Sequence, residues 1–333
     1  MQPAAATIDF SLVIPCYNEE AVLPKLKDRL LECLPKLGVT WEVILVDDGS
    51  VDRTAHLLEM MNREDARFKV VVFSRNFGHQ AAVSAGLANA TGEAVGIIDA
   101  DLQDPPEIFF DAFQKLQAGY DVVFAIRRKR KENIFKRSAY AAFYRILKLI
   151  AEIDIPLDSG DFCLMKRPVV NVLCQLPERN VFLRGLRAWS GFRQTGIEYA
   201  REARQAGETK YSFKKLLKLA GDGIFSFSTF PLRLSLYFGF LALFVSILLG
   251  SFILAWRLAN FEFMGHKASE LPGWAAIAIG LLFLSGMQFL LLGCLGEYVG
   301  RIYTEVKHRP RWIVQKTFGL FSPANQPLRI NQP

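Results

Sequence analysis

The chain has 333 residues, of which 51% are hydrophobic, so it can bury one large core or two small ones. Forty basic residues stand against thirty-three acidic ones, a net charge of +7, and the excess lies beside two long apolar segments near the C-terminus. Cys16, Cys33, Cys163, Cys174 and Cys294 lack zinc-type spacing and imply no disulfide framework, which fits free thiols in a reducing compartment.

The N-terminal part reads as alternating strands and helices. Phe10 to Pro15 is a short apolar run that ends in Cys16-Tyr17-Asn18-Glu19-Glu20. Asn18 is placed to cap a helix that carries Leu23, Leu26, Leu30, Leu31 and Leu34 at helical spacing. A second strand, Trp41 to Val46, delivers Asp47-Asp48-Gly49-Ser50, and Asp52 can begin the next helix. A third, Lys69 to Phe73, runs into Ser74-Arg75-Asn76-Phe77-Gly78-His79-Gln80 and an alanine-rich helix, Ala81 to Ala90. Ala94 to Ile98 is the fourth strand and Asp121 to Ile126 the fifth. This alternation predicts an α/β, mostly parallel, doubly wound sheet, whose ligands gather at the carboxyl ends of the strands. No G-x-G-x-x-G follows the first strand and no G-x-x-x-x-G-K-[ST] occurs, so nucleotide binding would rely on carboxylates. Asp48 can accept a hydrogen bond from a base N–H and Tyr17 can flank the ring; turn chemistry alone also explains both residues.

The fourth strand delivers Asp99-Ala100-Asp101-Leu102-Gln103-Asp104-Pro105-Pro106-Glu107. Residues two apart on a strand point the same way, so Asp99 and Asp101 can converge while Ala100 leaves room. Two hard oxygen ligands at this spacing suit Mg²⁺ or Mn²⁺, Gln103 could add a carbonyl oxygen, and Pro105-Pro106 ends the strand. A loop of solvated acids is the plain alternative.

After the fifth strand, seven of the eleven residues from Arg127 to Arg137 are basic. Phe143, Ile146, Leu147 and Ile150 then share one helical face opposite Arg137, Arg145 and Lys148. With apolar segments downstream, the amphipathic stretch of about residues 134–151 reads as lying in a headgroup plane, and a second such stretch spans about 211–228. Anionic lipid, not nucleic acid, is the expected partner, although an ordinary domain helix has the same pattern. Asp158-Ser159-Gly160-Asp161-Phe162 sets two acids around a glycine, and Arg201 to Tyr211 strings cations, Arg204 and Lys210 among them, ahead of the first apolar segment.

That segment, 232–256, has Arg233 as its sole charge, and the second, 274–299, is uncharged as far as Gly296. At about 1.5 Å per residue each can cross a hydrocarbon core of about 30 Å. Lys210, Lys214, Lys215 and Lys218 precede the pair, and Arg301, Lys307, Arg309, Arg311 and Lys316 follow it. The positive-inside rule then puts both ends in the cytoplasm and the 257–273 loop outside. The expected organisation is a cytoplasmic domain over 1–230, two spans, and a basic cytoplasmic tail over 300–333 that frays after Ser322. No signal peptide is expected, and the location is the inner (plasma) membrane.

Taken together, Pro15-Cys16-Tyr17-Asn18-Glu19, Asp47-Asp48-Gly49-Ser50, Asp99 to Glu107 and Gly160-Asp161-Phe162 resemble the family 2 glycosyltransferases. The two apolar segments and Gly296-Glu297-Tyr298-Val299-Gly300-Arg301-Ile302-Tyr303 make the chain similar to the polyprenyl-phosphate glycosyltransferases within that family. The resemblance implies a GT-A fold, a nucleoside-diphosphate sugar donor, a divalent metal, and inverting transfer to a lipid phosphate such as undecaprenyl phosphate. It puts Pro15, Tyr17, Glu19 and Asp48 on the nucleoside, and Asp99, Ala100, Asp101, Gln103 and Lys210 on metal and diphosphate. Arg127, Arg128, Arg137 and Arg204 would meet the acceptor phosphate. Asp161, with Asp101, would serve catalysis, as a base or as a positioning group. UDP-glucose is the favoured donor; a UDP-aminoarabinose derivative, a UDP-N-acetylhexosamine and GDP-mannose are alternatives, and the family suggests a homo-oligomer. A processive polysaccharide synthase would carry Gln-x-x-Arg-Trp and more spans; here Arg311-Trp312 is preceded by His308. A membrane scaffold that kept the fold without its metal site is the non-enzymatic alternative.

Overall fold

A computed structural model describes residues 8–127, 159–178, 182–199, 230–259 and 273–320. The chain divides into two units, one of residues 1–223 and 308–333, the other of residues 224–307.

The first unit is built on eight strands: β1 Phe10–Cys16, β2 Trp41–Asp47, β3 Phe68–Phe73, β4 Ala94–Ile97, β5 Val122–Arg127, β6 Ser159–Lys166, β7 Gln194–Tyr199 and β8 Val314–Phe318. They form one sheet in the order β7-β5-β6-β4-β1-β2-β3-β8. β1, β2, β3 and β4 pair in parallel, as do β5 and β7, whereas β6 and β8 run antiparallel to their neighbours. The predicted mostly parallel α/β sheet of GT-A type is what forms.

All seven residues of β1 and all seven of β2 are buried, the signature of strands covered on both faces. One face carries Phe10, Leu12 and Ile14, packed with Leu23, Leu26 and Leu30 of α1 (Leu23–Cys33), Leu58 and Met61 of α2 (Thr54–Glu64), and Phe109, Ala112 and Leu116 of α4 (Ile108–Gln117). Each such fully buried Leu or Ile contributes roughly 1.5–3 kcal/mol. The other face carries Val13, against which α3 (His79–Asn89) packs through Gly86. α5 (Arg167–Gln175) lies beside α3, and α6 (Leu183–Trp189) packs on β6.

The start of α1 departs from expectation, and the alanine-rich helix begins at His79, two residues before the expected Ala81. Asn18 does not cap α1, which begins at Leu23 behind a proline-bearing first turn. Asn18 instead adopts φ 54° and reaches sideways: its Oδ1 accepts from the Val51 amide at 3.0 Å, and its own amide donates to Ser50 Oγ at 2.9 Å. An Asx side chain tolerates this left-handed conformation, and the result staples the β1 turn to the β2 turn.

β6, β7 and β8 were not anticipated as strands. β6 holds the Gly160-Asp161-Phe162 motif, and β8 comes from the stretch expected to be a basic tail. Ser322 and the rest of the expected frayed end lie outside the described residues, as do 134–151 and 211–228.

The second unit contains α7 (Phe230–Ala259) and α8 (Gly273–Val306), which contact each other. Both are long and apolar enough to cross a membrane, by length and composition. Their apolar side chains are laid open: Leu236, Phe240, Phe244 and Leu249 on α7 and Phe283, Phe289 and Leu290 on α8 are all exposed. Water-soluble proteins rarely expose so continuous an apolar surface.

Candidate active site

Topology brings the predicted residues to one edge of the sheet. β1, β2 and β4 are parallel, so the Tyr17, Asp48 and Asp99 turns emerge together. β6 runs the other way beside β4, with Ile97 opposite Cys163. Continuing that register two residues along each strand sets Asp161 beside Asp99.

Asp161 is buried and its carboxylate is fully engaged. Oδ1 accepts from Arg184 Nε at 2.9 Å and Oδ2 from Gln80 Nε2 at 2.9 Å. His79 Nε2 stands 3.5 Å from Asp161 Oδ2 and 3.7 Å from Asp99 Oδ1. Gln80 Oε1 in turn accepts from the Leu183 amide at 3.3 Å, so this one side chain ties α3, β6 and the start of α6 together. Burial alone would raise the Asp161 carboxyl, but the Arg184 charge and the hydrogen bonds from His79 and Arg184 hold it well below the usual carboxylate range. Burial works against a charged His79, yet its hydrogen bond to Asp161 and the nearby Asp99 carboxylate push it up to about 9. Desolvation, with Asp161, Asp104 and Asp101 close by, raises Asp99 despite the opposing His79.

The loop after β4 is held tightly. Ala100, Asp101, Leu102, Gln103 and Asp104 are all buried, and Asp99 is partly open. Leu102 has φ 57°, a left-handed conformation that a bulky residue adopts only where its surroundings impose it. The Gln103 amide donates to Asp101 Oδ1 at 3.1 Å. Tyr199, at the end of β7, donates its hydroxyl to Asp104, and its ring meets Phe162 edge-on at 5.7 Å. Asp99, Asp101 and the Gln103 carbonyl are hard oxygen donors delivered by one short loop after β4, a donor chemistry that fits Mg²⁺ or Mn²⁺. Among the described residues, no group of three or more His, Cys, Asp or Glu side chains is disposed to hold a metal ion.

At the other end of the edge, Asp48 is buried, with Oδ1 accepting from the Phe77 amide at 2.7 Å and both oxygens close to the Gly78 amide, 3.2 and 3.0 Å away. Burial pushes its carboxyl up and those amides pull it back. Oδ2 keeps acceptor capacity for a further donor. Tyr17 is exposed and Pro15 buried, while the Glu19 amide donates to Thr54 Oγ1 at 2.8 Å.

The sheet edge thus gathers Pro15, Tyr17, Glu19, Asp48, Asp99, Ala100, Asp101, Gln103 and Asp161. Arg127 ends β5, and Arg128, Arg137, Arg204 and Lys210 lie outside the described residues. His79, Gln80, Arg184 and Tyr199 are the additions that sequence reasoning missed. The single available signal was His79-Gln80 at the start of a helix after a polar turn; Arg184 and Tyr199 meet their partners across long chain separations.

The family model for glycosyl transferase family 2 matches residues 11–173, a stretch that holds all of these strand-end carboxylates. The chain is 46% identical over 314 residues to an uncharacterised glycosyltransferase, YkcC, of Bacillus subtilis, covering 94% of this chain and 95% of that protein. It is 39% identical over 308 residues to the SfII prophage-derived bactoprenol glucosyl transferase of Shigella flexneri, covering 92% and 97%. Among solved structures, the Mycobacterium tuberculosis glucosyl-3-phosphoglycerate synthase in complex with Mn²⁺, UDP and glucosyl-3-phosphoglycerate is similar at 20% identity and TM-score 0.42, over 66% of this chain and 78% of that one. With this match to the family model and this identity over nearly the whole length, the chain belongs to the family 2 glycosyltransferases and is a glycosyltransferase.

Proposed function

We propose that the protein transfers a hexose, with glucose from UDP-glucose as the favoured case, to polyprenyl phosphate at the cytoplasmic membrane face, with inversion. The carrying observation is the strand-end cluster Asp99–Asp101 beside Asp161–Arg184–Gln80–His79, on a chain that also bears two exposed apolar helices. The similarity to a bactoprenol glucosyl transferase over most of both chains supports the acceptor and the sugar.

In this reading Asp99 and Asp101, with the Gln103 carbonyl, would hold Mg²⁺ or Mn²⁺. The chemistry a bound divalent ion would supply there is charge stabilisation of the diphosphate leaving group. Asp48 and Tyr17 orient the nucleobase, with Pro15 and Glu19 shaping its turn. Lys210 meets the diphosphate, and Arg127, Arg128, Arg137 and Arg204 draw the acceptor phosphate to the surface.

Asp161 acts as a positioning group. A phosphate monoester has a second pKa near about 6, so the attacking oxygen is largely ionised at neutral pH and little proton abstraction is needed. A carboxylate paired with Arg184 and Gln80 and held well below its usual range is a weak base but a firm anchor. What remains is to set a membrane-borne oxygen behind the anomeric carbon.

Purified protein in detergent, given undecaprenyl phosphate, Mg²⁺ or Mn²⁺ and separate UDP- and GDP-sugars, should yield a hexosyl-phosphate lipid by mass spectrometry with UDP-glucose. Product from another donor alone reassigns the sugar. A folded protein that makes no lipid product with any donor and shows no metal-stimulated donor binding favours the scaffold alternative.

A further inference from the structure

The Arg311-Trp312 pair has no part in the reaction as described, yet the structure brings it to the nucleotide end of the sheet. After α8 the chain rejoins the first unit and adds β8 antiparallel to β3, with the Ser74 amide donating to the Ile313 carbonyl at 3.0 Å. Arg311 donates to the Leu176 carbonyl, which pins the segment at its other side. Trp312 stacks on Phe73, ring centroids 6.2 Å apart and planes 14° apart. Phe73 meets Phe77 edge-on at 5.7 Å, the Arg75 guanidinium lies 4.1 Å from the Phe77 ring centre, and the Phe77 amide is the one that donates to Asp48.

The loop Ser74–Gly78 is therefore gripped from two sides. On the β2 side, Gly49, at φ 67°, comes so near that a Cβ there would stand 2.3 Å from the Arg75 carbonyl carbon. On the β8 side, the grip is the Trp312–Phe73–Phe77 stack. Trp312 thus connects to Asp48 through Phe73 and this loop's Phe77.

We propose that Trp312 is a positioning residue of the nucleotide site, fixing the Ser74–Gly78 loop so that the Asp48 carboxylate faces a nucleoside diphosphate. The inference rests on the reading of Asp48 as the carboxylate that meets the nucleobase. It makes the segment following the apolar helices a component of the donor pocket.

The test is isothermal titration of the full-length protein in detergent with UDP at saturating Mg²⁺. Losing an aromatic pair predicts a Kd for Trp312→Ala weaker by about three- to ten-fold, with Trp312→Phe restored to near the parent value. Asp48→Asn should also weaken UDP, and the double variant should lose less than the product of the two, since both act through one carboxylate. If Asp48→Asn binds as tightly as the parent, the reading of Asp48 is wrong and the inference goes with it. If Asp48→Asn weakens binding but Trp312→Ala lowers only the melting temperature, Trp312 merely stabilises the sheet and the inference alone is overturned. Should Trp312→Ala fail to fold, Trp312→Leu, which keeps apolar bulk without a ring, carries the same comparison.

Discussion

At the scale of single residues, the carboxylates of the site differ in how far protein donors engage them. Asp161 and Asp48 have oxygens committed to protein donors, Arg184 and Gln80 for one, the Phe77 and Gly78 amides for the other. Asp99 stands apart: it is partly open, desolvation and then the neighbouring carboxylates raise it against His79, and in the proposed reading it takes the cation together with Asp101. Asp101→Asn should therefore keep the fold, read by an unchanged circular dichroism melt, while turnover at saturating Mg²⁺ falls by about a hundred-fold or more. Undiminished turnover would remove Asp101 from the metal site. Gln80→Leu tests the holding role. It deletes the donor to Asp161 and the acceptor for the Leu183 amide together, leaving both facing an apolar chain at a cost of about 1–3 kcal/mol, seen as a lower melting temperature.

At the scale of elements, β1 and β2 are joined away from the catalytic edge by a buried cluster around Glu42. Its carboxylate accepts from Ser11 Oγ at 2.5 Å, from the Thr91 amide and hydroxyl at 2.8 Å each, and from Lys69. Burial raises its pKa, but the hydrogen bonds from Lys69, Ser11 and Thr91 outweigh that and hold it below the ordinary value. A carboxyl lowered on folding contributes stability that is complete above its unfolded pKa, about 4.3, and is lost as pH falls through the folded value. Glu42→Gln should thus melt lower at neutral pH and lose the part of the acid destabilisation below about pH 4.3 that this group causes, measured by thermal melts across pH. Gly86→Ala is a second element-scale test: its Cβ would stand 2.2 Å from Val13 Cγ1, pushing α3 off β1 at about 1–3 kcal/mol. The central strands were legible because their burial on both faces leaves continuous apolar runs, such as Trp-Glu-Val-Ile-Leu-Val. β7 and β8 were not, since Gln-Thr-Gly-Ile-Glu-Tyr and Val-Gln-Lys-Thr-Phe are partly or largely exposed and read as polar connection or basic tail. β6 opens on Ser-Gly-Asp, which reads as a turn. The carboxylate pair of the site was readable from Asp99-Ala100-Asp101, whereas Arg184 reaches Asp161 only through the packing of α6 on β6.

At the scale of the whole molecule, connectivity constrains the membrane arrangement. The chain leaves the sheet unit before α7 and returns to it after α8, since β8 pairs with β3. A folded sheet cannot have strands on both sides of a bilayer, so the two helices must cross an even number of times or not at all. Two crossings satisfy this, and under the proposed arrangement the positive-inside rule would put the lysines ahead of α7 and Arg301, Lys307 and Arg309 on the cytoplasmic side. The consequence is a labelling pattern. In intact cells a membrane-impermeant maleimide should react with a cysteine placed at Lys267, between the helices. The exposed native Cys174 and a cysteine placed at Val51, which is 86% exposed, should react only after permeabilisation. Labelling of Val51→Cys in intact cells would invert the orientation and put the donor site out of reach of cytoplasmic nucleotide sugars. Protection of both Lys267→Cys and Val51→Cys before permeabilisation, with labelling afterwards, would mean that the helices do not cross and instead lie on the cytoplasmic leaflet. Either result would still hold β8 on the sheet, so the nucleotide-site test of Trp312 is independent of which way the helices run.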